Sequence, residues 1–146
     1  MKVDIKVDHG ALEINVIIVT NEINDEVLRL QENIINLEPN LISGFNGYKL
    51  EILKEENIIR CYASDGKVYV VTKDKEYLVK RTLSELEDSL NKNYFVRISR
   101  SDIINLNKVD HFDLSFVGTI YVEMKNGDVL YVSRRKLKDV KIYLGL

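Results

Sequence analysis

From Tyr48 onward the chain consists mainly of short stretches in which apolar and polar side chains alternate. A period of two is typical of half-buried β-strands, because successive side chains point to opposite faces of a sheet. Turn-forming residues separate the stretches, and Asn126-Gly127 is the strongest hairpin signal among them. The pattern predicts antiparallel strands near residues 48–53, 57–63, 67–73 and 75–80, followed by a hairpin of residues 109–116 and 119–124.

Two later stretches end in basic residues. Residues 94–101 read YFVRISRS and residues 129–136 read VLYVSRRK. Both are predicted to present guanidinium and hydroxyl groups where a strand ends. A guanidinium group fits phosphate oxygens or the acceptor edge of guanine, which favours a nucleic-acid ligand, whereas the plainer interpretation is a solvated basic surface.

The second basic run is also predicted to begin a helix. Ser133 is a suitable N-cap and Gly145 a suitable terminator, so Arg134, Arg135 and Lys136 would occupy the first turn. The helix dipole disfavours each cation there by about 0.3–1 kcal/mol. A bound phosphate would offset that cost.

Residues 95–106 (FVRISRSDIINL), 108–109 (KV), 126–127 (NG) and 132–135 (VSRR) together resemble the LytTR DNA-binding domain. The resemblance extends over residues 46–144. It implies a mainly β fold with short helices (α+β), in which antiparallel sheets hold loops that enter successive major grooves. It also implies a bacterial transcription regulator that binds double-stranded DNA at paired direct repeats, with two protomers on one site.

The same resemblance assigns roles to individual residues. Lys67, Arg100 and Arg135 are the candidates for reading bases, although Lys67 could equally be a solvated turn residue. Arg97 is either a DNA contact or part of a structural salt bridge, and Asn105 is expected to fix a turn. The candidates for phosphate contacts are Ser99, Ser101, Arg134 and Lys138.

Residues 1–44 are predicted to form a separate β-β-α extension before the DNA-binding domain at 45–146. Its strands are expected at 3–7 and 14–19, the second of them buried, around an Asp8-His9-Gly10 turn; Asn24 begins the helix and Pro39 stops it. Such an extension is too short for a receiver domain. Dimerisation, signal input and capping of the sheet edge remain alternative roles.

Charge follows the same division. Residues 1–44 carry three basic and eight acidic residues, a net of −5, while residues 45–146 carry 18 basic and 15 acidic residues, a net of +3. A polyanion responds to this local distribution rather than to the total of −2. The positive charge therefore belongs to the predicted DNA-binding domain.

Other classes of function receive little support. His9 and His111 lack a nucleophile, acid or cysteine at motif spacing, so we expect no enzyme, no cofactor and no metal site. The single cysteine, Cys61, lies in an apolar run and is expected to be a buried thiol in a cytoplasmic protein. The alternative function is a β-rich interaction or sensor module whose basic surface binds an acidic protein; a regulatory protein partner, including a membrane protein, is left open.

Overall fold

The computed structural model describes residues 1–37 and 41–146, which divide into two compact units, Met1–Pro39 and Asn40–Leu146. In the first unit the described residues form one helix, α1 (Asp25–Ile35). The second unit contains the strands β1 (Ile42–Asn46), β2 (Lys49–Leu53), β3 (Ile58–Ser64), β4 (Lys67–Thr72), β5 (Glu76–Val79), β6 (Phe95–Arg97), β7 (Asp102–Asn105), β8 (Val109–Asp113), β9 (Tyr121–Met124) and β10 (Val129–Tyr131), with helices α2 (Leu83–Ser89) and α3 (Leu137–Tyr143).

The strands form two antiparallel sheets. The larger has the order β2-β1-β5-β4-β3-β7-β6, and the smaller has the order β10-β9-β8. The predicted strands from residue 48 to 80 are all present, and so are the 109–124 hairpin and the Asn126-Gly127 turn, where Gly127 has a φ of 93°. The mainly β fold class is therefore confirmed.

Two apolar cores lie on opposite faces of the larger sheet. Neighbouring residues of one strand point into different cores. Ile58 and Ile103 pack in the core that includes α2, whereas Ile59 and Ile104 pack in the core that includes the smaller sheet and α3. Cys61 belongs to the first core, and its burial raises the pKa of the thiol to about 12, as expected for a structural cysteine. Both faces of the central strands are thus covered.

Helices α1 and α2 begin at side-chain caps. The Thr82 hydroxyl accepts the Glu85 amide hydrogen at 3.1 Å and begins α2, while the Asn24 side chain accepts the Val27 amide hydrogen at 3.0 Å and begins α1. The stop predicted at Pro39 lies outside the described residues. Among those that are described, no helix has the length and apolar character that crossing a membrane requires.

The two strands predicted in the extension are not formed. The Asp8-His9-Gly10 turn is present, with the Gly10 amide donating to Asp8 Oδ1 at 2.9 Å, but residues 3–7 and 14–19 belong to no strand. The expectation that the second stretch is buried was also wrong, because Ile14 and Val19 are more than nine-tenths exposed. A strand needs a partner for its backbone, and residues 1–37 do not supply one.

Residues 42–44, which precede the domain boundary predicted between residues 44 and 45, lie in the second unit. Residues 42–46 form β1, which pairs with β2 through Ile42↔Leu53 to Asn46↔Lys49. Glycine at position 44 is required there, because a Cβ would lie 2.5 Å from the Tyr77 Cβ. The absence of a side chain at this position permits close packing against Tyr77 of β5.

Candidate nucleic-acid interface

Three loops of the second unit are joined by two backbone hydrogen bonds. The Ser133 amide donates to the Ile98 carbonyl at 2.8 Å, which connects the two basic runs. The Ala63 amide donates to the Ser101 carbonyl at 2.9 Å, which connects the first run to the end of β3. The turn between β3 and β4, the loop between β6 and β7 and the turn between β10 and α3 therefore lie side by side. We call these loops, together with the first turn of α3 that follows the last of them, the basic loop cluster.

Arg97 holds the β6–β7 loop in shape. Its Nε donates to the Ser99 carbonyl at 3.0 Å, and its Nη2 donates to the Arg100 carbonyl. Its Nη1 contacts the Ser84 hydroxyl at 3.3 Å and lies 3.7 Å from the Glu87 carboxylate on α2. Only 15% of the Arg97 side chain is exposed, and its contact with Glu87 is the salt bridge that the sequence analysis gave as one of two alternatives.

Ser99 and Ser101 belong to a polar network beneath the same loop. The Ser99 hydroxyl accepts the Ser101 amide hydrogen at 3.2 Å, and both hydroxyls lie 3.2 Å from Asp102 Oδ2. Arg60 Nη1 lies 3.4 Å from Asp102 Oδ1 and balances the charge of that carboxylate. Ser99 is only 5% exposed, whereas Ser101 is exposed. Ser99 therefore shapes the loop, and Ser101 is the more accessible hydroxyl.

The second basic run precedes α3 instead of beginning it. The Ser133 carbonyl accepts amide hydrogens from Lys136 at 3.0 Å and Leu137 at 3.1 Å, and the helix starts only at Leu137. Ser133 is not the N-cap; that position is Lys136, which makes no side-chain capping bond. Arg134 and Arg135 therefore lie outside the first turn of the helix, and the predicted dipole penalty does not apply to them. Gly145 ends the helix as predicted, with a φ of 73°.

Five cationic side chains extend from the basic loop cluster. Each is exposed, and across residues 1–37 and 41–146 none of them forms an ion pair or a side-chain hydrogen bond. By contrast, Arg60 and Arg97 are each bound to a carboxylate, and Arg81 donates to the Leu41 carbonyl. The cluster is therefore rich in donors that the fold leaves unused. Its members are Lys67 on the β3–β4 turn, Arg100 on the β6–β7 loop, Arg134 and Arg135 before α3, and Lys138 within α3.

Asn105 and Arg60 support this surface from the interior. Asn105 is 1% exposed; its amide donates to the Ile58 carbonyl at 2.8 Å and its Oδ1 accepts the Asn107 amide hydrogen at 2.9 Å, which confirms its role in a turn. Arg60 was missed by the sequence analysis. It bonds Asp128 at 2.8 Å across 68 positions of the chain. No local pattern signals a pairing of that kind.

One group of titratable residues also escaped the sequence analysis. His111 lies opposite Glu123 across β8 and β9, with 3.4 Å between Nε2 and the carboxylate, and its Nδ1 lies 2.6 Å from Asp110 Oδ2. The bond to Asp110 raises the pKa of His111, and the Glu123 charge adds to the effect. Inspection of spacing along the chain could not detect this group, because the strand register brings it together.

Comparison with known proteins relates the second unit to one family. The sequence model of the LytTr DNA-binding domain matches residues 48–145. A transcriptional regulatory protein LytR from Staphylococcus aureus is 35% identical over 98 residues, covering 67% of this chain and 40% of the relative. A sensory transduction protein LytR from Streptococcus mutans is 30% identical over 95 residues, covering 65% of this chain and 39% of the relative. The chain thus spans about two-fifths of the length of these relatives.

A solved structure has the same fold. It is described as the LytTr DNA-binding domain of a response regulator from Bacillus cereus, and it superposes with a TM-score of 0.70 at 24% sequence identity. The match covers 74% of this chain and 99% of the other. The antiparallel architecture of the second unit is therefore shared with that domain.

Proposed function

Because the chain belongs to the LytTR DNA-binding domain family, we propose that it is a bacterial, cytoplasmic transcription regulator that binds a specific sequence of double-stranded DNA. One observation supports this most directly. The basic loop cluster presents Lys67, Arg100, Arg134, Arg135 and Lys138 without partners among the described residues, on loops held together by backbone hydrogen bonds and on the first turn of α3. Unpaired cations on preorganised loops are suited to phosphates and to base edges.

The proposed contacts divide by chemistry. Arg100 and Arg135 read bases, since a bidentate arginine–guanine pair discriminates by about 1–3 kcal/mol. Lys67 reads a base at the neighbouring loop. Arg134 and Lys138 bind phosphates and set the register of the protein on the duplex, and the exposed Ser101 hydroxyl adds a weaker phosphate contact. Arg97 and Ser99 act indirectly, by holding the β6–β7 loop in its conformation.

We further propose that two protomers occupy paired direct repeats. The acidic extension of residues 1–44 is then the candidate for dimerisation, since its net charge of −5 would be repelled by DNA. The DNA-binding unit carries the positive charge and reads the duplex without enzymatic chemistry. Control by a further protein partner is compatible with this assignment.

The test is selection of binding sites from random duplex DNA at near-physiological salt, with wild-type protein and Arg135→Ala in parallel. We expect a pair of direct repeats from the wild type and a blurred preference at one base position from the variant. Lys73→Ala is the matched control, because Lys73 is exposed at the opposite end of β4 from Lys67. Weak, salt-sensitive binding without enrichment would instead favour an interaction module that binds an acidic protein.

A further inference from the structure

The N-terminal stretch at residues 2–8 has strand character but lacks a partner strand within residues 1–37. Its sequence is KVDIKVD, in which charged and apolar side chains alternate strictly. The apolar side chains are almost fully accessible, with exposed fractions of 81% for Val3, 91% for Ile5 and 73% for Val7. Unpaired backbone and an exposed apolar row together make this stretch a candidate for pairing with another chain.

The charges of the stretch determine which chain fits. Along its polar side the sign alternates as Lys2, Asp4, Lys6 and Asp8. Lys2 Nζ already lies 3.7 Å from Asp4 Oδ2, as expected for side chains two residues apart on one face. In an antiparallel pairing of two identical copies centred on Ile5, Lys2 faces Asp8 and Asp4 faces Lys6. Val3 then faces Val7, and Ile5 faces its own symmetry mate.

The nearest alternative registers and the in-register parallel pair are unfavourable. Centring the pair on Asp4 or on Lys6 places like charges opposite one another, and so does a parallel in-register pair. A shift by a single residue places apolar side chains opposite charged ones. The second apolar stretch of this unit, residues 14–19, contains no charged residue and therefore offers no complement to the alternating charges.

We propose that residues 2–8 pair antiparallel, about a two-fold axis at Ile5, with the same residues of a second copy of this chain. This inference specifies how the dimer of the proposed function forms, and its biological role rests on that function. The pairing itself does not require DNA. A lone two-stranded ribbon is only marginally stable in water. The exposed apolar residues of 14–19, including Ile14, Ile17 and Val19, supply further surface that such a dimer covers.

Variants that reverse one charge of a facing pair across the two-fold axis test the pairing. Asp4→Lys places lysine opposite Lys6 of the second copy, and Lys6→Asp places aspartate opposite Asp4, each change occurring twice by symmetry. We expect a self-association constant, measured for the full chain without DNA by sedimentation equilibrium, that is roughly tenfold weaker for either variant. An equimolar mixture of the two variants restores opposite charges at both positions and should associate as tightly as the wild type.

Two controls make the result specific. Glu13→Lys makes the same charge change as Asp4→Lys at an exposed residue outside the stretch and should leave association unchanged. Ile5→Cys should oxidise to a covalent dimer, because facing Cα atoms about 4.5–5.5 Å apart are within disulfide range, whereas Val3→Cys should not. Cys61 does not interfere, since it is buried.

The inference is overturned by a monomeric wild type at tens of micromolar, by single variants that associate normally, or by a mixture that does not recover. Selection of direct repeats by the wild type measures the proposed DNA-binding function separately. If the wild type is monomeric but still selects a specific sequence, the proposed strand pairing is wrong and the proposed DNA recognition stands. If the wild type dimerises but selects no sequence, the strand pairing stands and the proposed DNA recognition is wrong.

Discussion

The arginines of the second unit differ in whether their guanidinium groups are bound by other groups of the protein. Arg60, Arg81 and Arg97 donate to carbonyl, hydroxyl or carboxylate oxygens of the protein, whereas Arg100 and Arg135 extend from loops without such partners among the described residues. Arg97 and Arg100 are only three positions apart. Residue type and proximity in sequence therefore do not reveal which guanidinium is available to a ligand.

At this scale we predict that Arg97→Ala lowers the free energy of unfolding by about 1.5–3 kcal/mol, because the Ser99 and Arg100 carbonyls lose a charged donor. DNA affinity should fall for every sequence, since the loop that carries Arg100 is no longer held. Urea denaturation followed by circular dichroism measures the first effect. Arg100→Ala is the control and should leave stability unchanged; equal stability of both variants would contradict the structural role of Arg97.

The β9–β10 hairpin is fastened to the larger sheet by an ion pair. Arg60 on β3 bonds Asp128 beside the Asn126-Gly127 turn at 2.8 Å. Burial opposes the charged form of Asp128, but hydrogen bonds from Arg60 and Asn126 outweigh it, so the pKa lies below its usual value of 3.8. Since Asp102 accepts from the same guanidinium, this pair also supports the β6–β7 loop. The hairpin thus contributes to the interface without touching a ligand.

We predict that Asp128→Asn destabilises the protein by about 1 kcal/mol at pH 7. A carboxylate whose pKa is lowered by folding stabilises the protein above its unfolded pKa, and this contribution disappears as the pH falls through the folded pKa. The difference in the free energy of unfolding between wild type and variant should therefore become smaller below about pH 4. Urea unfolding at pH 7 and pH 3 measures this difference. A difference of equal size at the two pH values would contradict the ion pair.

Across the whole molecule, charge is separated along the chain. The net charge is −5 in residues 1–44 and +3 in residues 45–146, and the structure divides close to this point, between residues 39 and 40. The unpaired cations of the basic loop cluster lie in the positive part. An acidic first unit favours binding through the second unit alone and discourages contact between its own residues and phosphate.

At the scale of the whole complex we predict that Arg134→Ala weakens binding to all duplexes about equally. The slope of log affinity against log salt should become shallower by roughly one unit, because one fewer counterion is released. Fluorescence anisotropy over a series of salt concentrations measures the slope, with Lys73→Ala as the reference. An unchanged slope would show that Arg134 does not contact phosphate.

The sequence by itself determined the features that depend on neighbouring residues. Alternation placed the strands of the second unit, Asn126-Gly127 placed a hairpin, and the Asn24 capping signal placed α1, because each depends on a few adjacent side chains and their own backbone. The motif around residues 95–106 identified the family for the same reason, as its residues stand together in the chain.

Only the tertiary structure decided the features that depend on distant partners. The availability of each arginine follows from carbonyls and carboxylates elsewhere in the fold, as the Arg60–Asp128 pair shows. The start of α3 at Leu137 follows from Ser133, whose amide is bound to the carbonyl of Ile98 in the β6–β7 loop. Residues 3–7 have the alternation of a strand but form none, since pairing requires a second backbone that residues 1–37 do not provide. Alternation fixes which face a side chain takes, while hydrogen-bond partners fix whether the element exists.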